Sequence, residues 1–309
     1  MNSLPPTVMG FALRSSGRHQ AGLALLAVMV FGLSAVPLEL QRRIVNDAIR
    51  NGAAATILWL ALAYAGVALV EQTAKLALNL YRAWVSESCV RSLRQTVHEE
   101  RATAPSDDAG ARAAMMLSEA EPIGGFVGIV FSEPLLQAGI LCSVVIYMVV
   151  LEPWMALLVP ALLAPQMIFV PLMQRAINRR AAARIRTLHH VSADIVDGNR
   201  PGGETVGRAR IERVFTLNMG IYRIKYRMNL LMNLMQYCAV ATALGIGGLF
   251  VLQGRVEVGT VVAIVSGLGK LYDPWGDLVN WAREFSVVSV KYRLFAETAN
   301  RLASVAAPA

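Results

Sequence analysis

Six apolar stretches divide the chain, and the polar gaps between them alternate between a few residues and about fifty. The stretches are residues 21–40, 57–80, 128–151, 154–173, 232–252 and 260–278. At a rise of about 1.5 Å per residue, each is long enough as a helix to cross the roughly 30 Å hydrocarbon core of a bilayer. The pattern therefore predicts an all-α, polytopic membrane protein with six transmembrane helices.

The composition agrees with a membrane protein. Hydrophobic residues make up 55% of the 309 residues, the mean hydropathy is +0.48, and charged residues make up only 16%. Ordinary soluble domains carry about 25% charged residues. The net charge of +8 would suit nucleic acid, but the basic residues follow the sides of the membrane, so we expect no nucleic-acid partner.

Lys and Arg are distributed unevenly among the gaps. The gap before the fifth stretch contains Arg175, Arg179, Arg180, Arg184, Arg186, Arg200, Arg208, Arg210, Arg213, Arg223, Lys225 and Arg227. The gap before the fourth stretch contains none, and the gap before the sixth contains only Arg255. By the positive-inside rule, we expect both termini and both long gaps in the cytoplasm, with the protein in the plasma (inner) membrane.

Three arginines do not follow the positive-inside rule in this topology, and the first stretch has a second interpretation. Arg42, Arg43 and Arg50 are exceptions, because they fall on the predicted outer side. A cleaved signal peptide that ends near Ser34 is an alternative interpretation of the first stretch. Cleavage there would leave five spans and place the N-terminus outside.

Each long gap is predicted to form a helical hairpin. Residues 81–104 contain neither Gly nor Pro, so the second spanning helix is expected to continue past the membrane to a break at 105–110. A helical run then returns to the third stretch, with Pro122, Gly124 and Gly125 loosening its re-entry. In the other gap, helical runs at 174–196 and 204–231 flank a break at 197–203. The hairpins would stand about 30 Å below the membrane, where they meet a cytoplasmic partner or pair only with each other.

Polar side chains recur at helical spacing in and beside the apolar stretches. Lys270, Asp273 and Asp277 share one helix face, and Pro274 should loosen the helix between them. A charge at the bilayer centre costs about 2.5–3.5 kcal/mol, so this face should border a water-filled cavity or pair internally, Lys270 with Asp273 or Asp277. The predicted substrate pathway comprises Glu71, Lys75, Gln137, Asn233, Gln236, Lys270, Asp273, Asp277, Asn280 and Glu284.

The sequence contains no motif for nucleotide hydrolysis. Its one Gly-Lys pair, Gly269-Lys270, has no Gly five positions before Gly269 and is followed by Leu271, so no phosphate-binding loop is predicted. The histidines and cysteines show no metal-ligand spacing, and no hydrolase motif is present. We therefore expect no enzymatic activity, no metal and no cofactor in this chain by itself.

Three groups of residues carry a family resemblance. The first combines Pro37-Leu38 with residues 44–52, the second combines 93–105 with 117–123, and the third combines 254–263 with 271–274. They resemble, in turn, the first outer loop, the first intracellular hairpin and the outer hairpin with the sixth helix of the transmembrane domain of ABC exporters. The resemblance covers about residues 20–300. It implies a cytoplasmic segment at 1–20, the six-helix domain at 21–304 and a C-terminal tail at 305–309.

The resemblance also implies partners. Coupling helices at the hairpin tips would contact an ABC ATPase (nucleotide-binding) subunit, which would hold the ATP and Mg. The corresponding residues are Ser106, Asp107, Asp108, Gly110, Arg112, Gly198, Arg200 and Gly202. The second tip departs from the family pattern, because residues 199–203 contain Pro201 and two glycines. A single six-helix unit has too few helices to enclose the family's cavity, so a homodimer or heterodimer is implied.

The function that follows is the membrane-spanning permease subunit of an ATP-driven ABC transporter, an exporter that forms the substrate pathway and works by alternating access. Two alternatives stay open. The chain could be an ATP-independent, proton-coupled carrier with Glu71, Asp273 or Asp277 as proton sites, or a non-transporting membrane scaffold. Copurification of an ATPase, and transport that follows either ATP or the proton gradient, would separate them.

Overall fold

The computed structural model describes residues 5–50, 52–103, 120–197 and 203–306, and most of these residues are helical, with no strand among them. The helices are α1 (Val8–Leu33), α2 (Val36–Ile49), α3 (Ala54–Thr103), α4 (Ser132–Leu151), α5 (Pro153–Ala156), α6 (Leu158–Asp197), α7 (Gly203–Leu252), α8 (Val258–Lys270) and α9 (Tyr272–Ala306). The predicted all-α class is confirmed.

Five helical segments among the described residues are long and apolar enough to cross a membrane: Val8–Ile49, Ala54–Gln95, Ser132–Leu151, Pro153–Leu188 and Gly207–Leu252. Large apolar side chains are exposed along them, for example Trp59 at 72% and Leu252 at 86%. Lipid is the solvent that makes such exposure favourable. The chain is thus a multi-pass membrane protein in architecture, while a sixth span stays a prediction.

The sixth apolar stretch is not one continuous helix. Helix α8 ends at Lys270 and α9 begins at Tyr272, with Leu271 as the capping residue between them. Pro274 has no N–H to donate to the carbonyl of Lys270, which is why an uninterrupted helix is disfavoured at this point. The expectation that Pro274 loosens this helix is confirmed. The break divides residues 260–278 into two shorter helical pieces.

The chain forms two compact units. Residues 1–152 and 254–309 form unit 1, in which α1 packs on α3 and α4, α2 packs on α3 and α8, and α9 packs on α4. Residues 153–253 form unit 2, which consists of α5 and the paired helices α6 and α7. One helix in unit 1, α3, and two in unit 2, α6 and α7, therefore supply the long polar extensions found among the described residues.

Three helices are far longer than a bilayer requires. Helix α3 has 50 residues, α6 has 40 and α7 has 50. Fifty helical residues extend about 75 Å, against about 30 Å for the hydrocarbon core. The predictions that helices continue through 81–103, 174–196 and 204–231 are confirmed. The predicted break at 105–110 lies outside the described residues, as do residues 198–202 of the predicted break at 197–203, while Asp197 and Gly203 at its two edges are helical.

Helix α3 is in close contact with the segment that precedes α4. Residues 120–127 are helical and 128–131 form a turn, so the expectation that Gly124 and Gly125 loosen the chain is wrong for this segment. Instead Gly124 and Gly128, four residues apart, approach α3: a Cβ on Gly124 would lie 2.7 Å from the backbone nitrogen of Val90. Small residues at this spacing let two helical backbones touch. Ser86 Oγ donates to the Gly125 carbonyl at 2.9 Å and strengthens the contact.

A candidate substrate cavity in unit 1

One face of α3 carries polar residues deep within an apolar helix. Glu71, Lys75, Asn79 and Arg82 follow one another at steps of four, four and three residues, so they lie along one stripe. Glu71 and Arg82 are buried, with 6% and 8% of their surface exposed. Burying a charged side chain in hydrocarbon costs free energy, so the charged residues of this stripe need polar partners from neighbouring helices.

Those partners surround a cavity of about 480 Å³. Helix α4 contributes from its first three turns, and the α8–α9 junction contributes Lys270, Asp273, Pro274 and Asp277. The lining residues are Ser34, Glu71, Lys75, Leu78, Asn79, Arg82, Glu133, Leu136, Gln137, Ile140, Lys270, Asp273, Pro274 and Asp277. Glu133 and Asp273 each lie in the first turn of their helix, where the helix dipole favours a carboxylate.

Glu71 holds two lysines at one end of the cavity. Lys75 Nζ lies 2.7 Å from Glu71 Oε1, one turn along α3, and Lys270 Nζ lies 3.9 Å from Glu71 Oε2. Lys270 also donates to the Ser34 carbonyl at 2.8 Å. One buried carboxylate therefore balances two ammonium groups and ties α3 to the end of α8.

A second network lies at the other end. Arg82 Nη1 is 2.6 Å from Glu133 Oε2, and Arg82 Nε donates to Ser132 Oγ at 2.8 Å. Gln137 Nε2 donates to Glu133 Oε1 at 2.7 Å and to Asp277 Oδ2 at 3.1 Å. The chain of bonds runs from α3 through α4 to α9, so the three helices share one polar network that is buried at Arg82 and reaches the exposed Asp277.

The expected pairing of Lys270 with Asp273 or Asp277 is not the one observed. Among the ion pairs of the described residues, Lys270 is joined to Glu71. The reason is the helix break at Leu271, which interrupts the continuous face on which the prediction depended. Asp273 and Asp277 border the same cavity, but Asp277 takes an amide hydrogen bond in place of an ion pair.

Six of the ten predicted pathway residues come together in this cavity: Glu71, Lys75, Gln137, Lys270, Asp273 and Asp277. Asn280 and Glu284 are exposed on α9 and are not among its lining residues. Asn233 and Gln236 belong to α7 in unit 2. The eight predicted ATPase-contact residues, at 106–112 and 198–202, lie outside the described residues.

Sequence reasoning missed Arg82 and Glu133. Both had a recognisable signal, since Glu133 is a carboxylate inside the third apolar stretch and Arg82 continues the stripe that begins at Glu71. An ionisable residue inside an apolar helix is a functional candidate by default. Within the described residues, no group of three or more His, Cys, Asp or Glu could hold a metal ion.

A second charged cluster accounts for the arginines that did not fit the predicted topology. Glu39 accepts from Arg42 Nε at 2.8 Å, from Arg43 Nε at 2.7 Å and from the Tyr147 hydroxyl at 3.0 Å. Bidentate arginine–carboxylate pairs are among the stronger polar contacts in proteins. Two of the three exceptional arginines, Arg42 and Arg43, are therefore paired with a carboxylate of their own helix.

The same cluster joins two of the segments that carried the family resemblance. Glu257 accepts hydrogen bonds from Asn46 and Arg50, and the Gly259 N–H donates to Asn46 Oδ1 at 2.8 Å. Arg255 pairs with Glu152 at 2.9 Å. Gly259 must be glycine because a Cβ would overlap with the Arg42 carbonyl. Helix α2 and the start of α8 thus form one polar contact.

No protein-family model and no curated protein sequence matches this chain.

Proposed function

We propose that the chain is the membrane-spanning subunit of an ATP-driven transporter of the ABC exporter type, and that the cavity of unit 1 is part of its substrate pathway. The observation that carries the proposal is the charge of this cavity within a set of apolar helices. Its lining contains the cations Lys75, Arg82 and Lys270 and the carboxylates Glu71, Glu133, Asp273 and Asp277.

Ion pairing alone does not explain this number of charged groups. Glu71 and Glu133 are each paired with cations, whereas Asp277 is bonded to an amide and both Asp273 and Asp277 are exposed. A charge that is neither buried nor lipid-facing in a membrane protein borders water. A water-filled space inside a helical membrane protein is what a polar solute needs to cross, so we propose a polar or charged substrate.

The proposal also assigns a role to the long helices. About 45 Å of α3 and α7 extend beyond what a bilayer core needs, by the rise of 1.5 Å per residue. In the proposed mechanism an ATPase subunit closes on binding ATP, pushes the hairpin tips and tilts these helices. Because α3 carries the polar stripe of the cavity, its movement would change which side of the membrane the cavity faces. A second six-helix subunit would complete the enclosure.

The test is purification of the tagged full-length chain from its native membranes. We expect an ATP-binding subunit to copurify and the complex to hydrolyse ATP with vanadate sensitivity, while the chain separated from that subunit neither binds nor hydrolyses ATP. Homogeneous chain that accumulates solute in response to a proton gradient, with no effect of ATP depletion, would instead establish the proton-coupled carrier. Hydrolysis by the separated chain would also contradict the proposal.

A further inference from the structure

The hairpin of unit 2 is strongly basic where it leaves the apolar part of the chain. Residues 174–188 of α6 contain five arginines, residues 218–231 of α7 contain Arg223, Lys225 and Arg227, and neither segment contains Asp or Glu. Like charges one turn apart on a helix repel each other. Arg175 with Arg179, and Arg223 with Arg227, are such pairs, so both helices lack a counter-charge of their own here.

The two basic segments lie side by side. Arg184 Nη1 donates to Asn218 Oδ1 at 3.1 Å, and Arg180 packs over Gly220, where a Cβ would lie 3.1 Å from its Nε. Extending this antiparallel register puts Arg175 level with residues 225–227 and Arg179 level with residues 221–223. The arginine pair of α6 and the arginine pair of α7 therefore lie at one height.

The remaining arginines of this region point away from the helix contact. Arg175, Arg179 and Arg186 fall within about 40° of one another around α6, at 100° per residue, and all three are exposed. Arg223 and Arg227 are exposed one turn apart on α7. We call Arg175, Arg179, Arg223 and Arg227 the basic belt.

Aromatic side chains accompany the basic belt. Tyr222 and Tyr226 are exposed on α7, and their rings stack with centroids 6.1 Å apart. Tyrosine is enriched at the level of lipid headgroups, because its ring is apolar and its hydroxyl is polar. The tyrosine pair thus indicates independently that this height of the hairpin lies at the bilayer surface.

We propose that the basic belt binds the phosphate headgroup of an anionic phospholipid. Clusters of basic residues next to a transmembrane helix attract anionic lipid through their charge. The lipid phosphate would lie between arginines of the same height and remove their repulsion. The inference concerns a permanent lipid contact of unit 2 and does not depend on the proposed transport function.

Distance from the apolar segments supplies a matched control. Arg227 and Arg223 lie five and nine residues before Met232, about 8 and 14 Å along the helix, in reach of headgroups. Arg213 and Arg208 are exposed on the same helix but lie about 29 and 36 Å from Met232. That separation far exceeds the Debye length of about 8 Å at physiological salt. The two pairs change the net charge equally but differ in proximity to lipid.

The experiment is a native mass spectrometry titration of the full-length chain in non-ionic detergent, with phosphatidylglycerol or phosphatidylcholine of identical acyl chains. We expect preferential binding of phosphatidylglycerol, weakened at least tenfold in R223Q/R227Q, since each basic residue near an anionic surface contributes about fivefold. Both R208Q/R213Q and the charge-preserving R223K/R227K should bind within about twofold to threefold of the unsubstituted chain.

Three results would overturn the proposal. Equal binding of the two lipids would remove headgroup selectivity, and equal loss in R223Q/R227Q and R208Q/R213Q would reduce the effect to net charge. Displacement of phosphatidylglycerol by inorganic phosphate at equal concentration would assign the belt to a free anion. Because R223K/R227K keeps the charge, its wild-type binding shows that a loss in R223Q/R227Q is electrostatic.

Discussion

Replacing Glu133 with alanine should destabilise the purified chain by about 3–5 kcal/mol, the usual cost of leaving one charge of a buried pair without its partner. The Arg82 guanidinium pairs with Glu133 at 2.6 Å, and the two side chains are only 10% and 17% exposed. No other carboxylate pairs with Arg82 among the ion pairs of the described residues. Denaturant unfolding in detergent micelles would measure the change.

Two variants sharpen this prediction. The double substitution R82M/E133L removes both charges and should recover most of the stability, because apolar replacements of a buried pair are often neutral or better. Glu121→Ala removes an equally charged partner from the exposed pair Arg94–Glu121, whose atoms lie 3.2 Å apart, and should cost less than about 1 kcal/mol. If E133A and E121A cost the same, Arg82 and Glu133 are solvated and the polar contact through α4 is not structural.

The second large effect is expected at Gly128. Its Cα faces α3 so closely that a Cβ would overlap with Ser86 Oγ and with the Arg82 carbonyl oxygen. A backbone carbonyl cannot move aside as a flexible side chain can, so Gly128→Ala should separate the helices and cost roughly 1–3 kcal/mol. Because Arg82 is next to the clash, the Arg82–Glu133 pair should be disturbed as well.

Gly125 provides the comparison. A Cβ on Gly125 would meet nothing within 4 Å, and the residue lies in the helical segment 120–127, just before the turn that contains Gly128. Gly125→Ala should therefore be neutral or slightly stabilising by helix propensity. Unfolding of the two variants under identical conditions measures the difference. Equal stability of G128A and G125A would show that the contact between α3 and residues 124–128 is looser than described.

The all-helical class and the long helices were predictable from the sequence, because the pattern that indicates a helix is repeated along its whole length. Apolar runs and the absence of Gly and Pro from 81–104 predicted α3 beyond the membrane, and the structure extends it to Thr103. The positions of breaks within helices were harder to predict from the sequence, because they depend on packing between helices. Gly124 and Gly125 are adjacent and identical in the sequence. A Cβ would clash with α3 at Gly124 but would meet nothing at Gly125.

The cavity was predictable only in part. Helical spacing along one element grouped Lys270, Asp273 and Asp277, and all three line the cavity although the helix is broken between Lys270 and Tyr272. It could not pair Lys270 with Glu71, since that contact joins residues about two hundred positions apart through the packing of α3 and α8. The involvement of Arg82 was missed because it follows the apolar stretch, although it continues the same stripe about two turns beyond Lys75 and three turns beyond Glu71.

The proposed pathway is tested most directly by the solvent accessibility of two positions on α9. In a background with Cys89, Cys142 and Cys238 replaced by serine, single cysteines at Asp277 and Val279 can be labelled with an aqueous thiol reagent in native membranes. Asp277 lines the cavity and Val279 does not. The proposal predicts fast labelling at position 277 without nucleotide, protection there with ATP and vanadate, and slow labelling at 279 in both states. Equal labelling of the two positions, or labelling at 277 that ignores nucleotide, would contradict an ATP-driven pathway through this cavity.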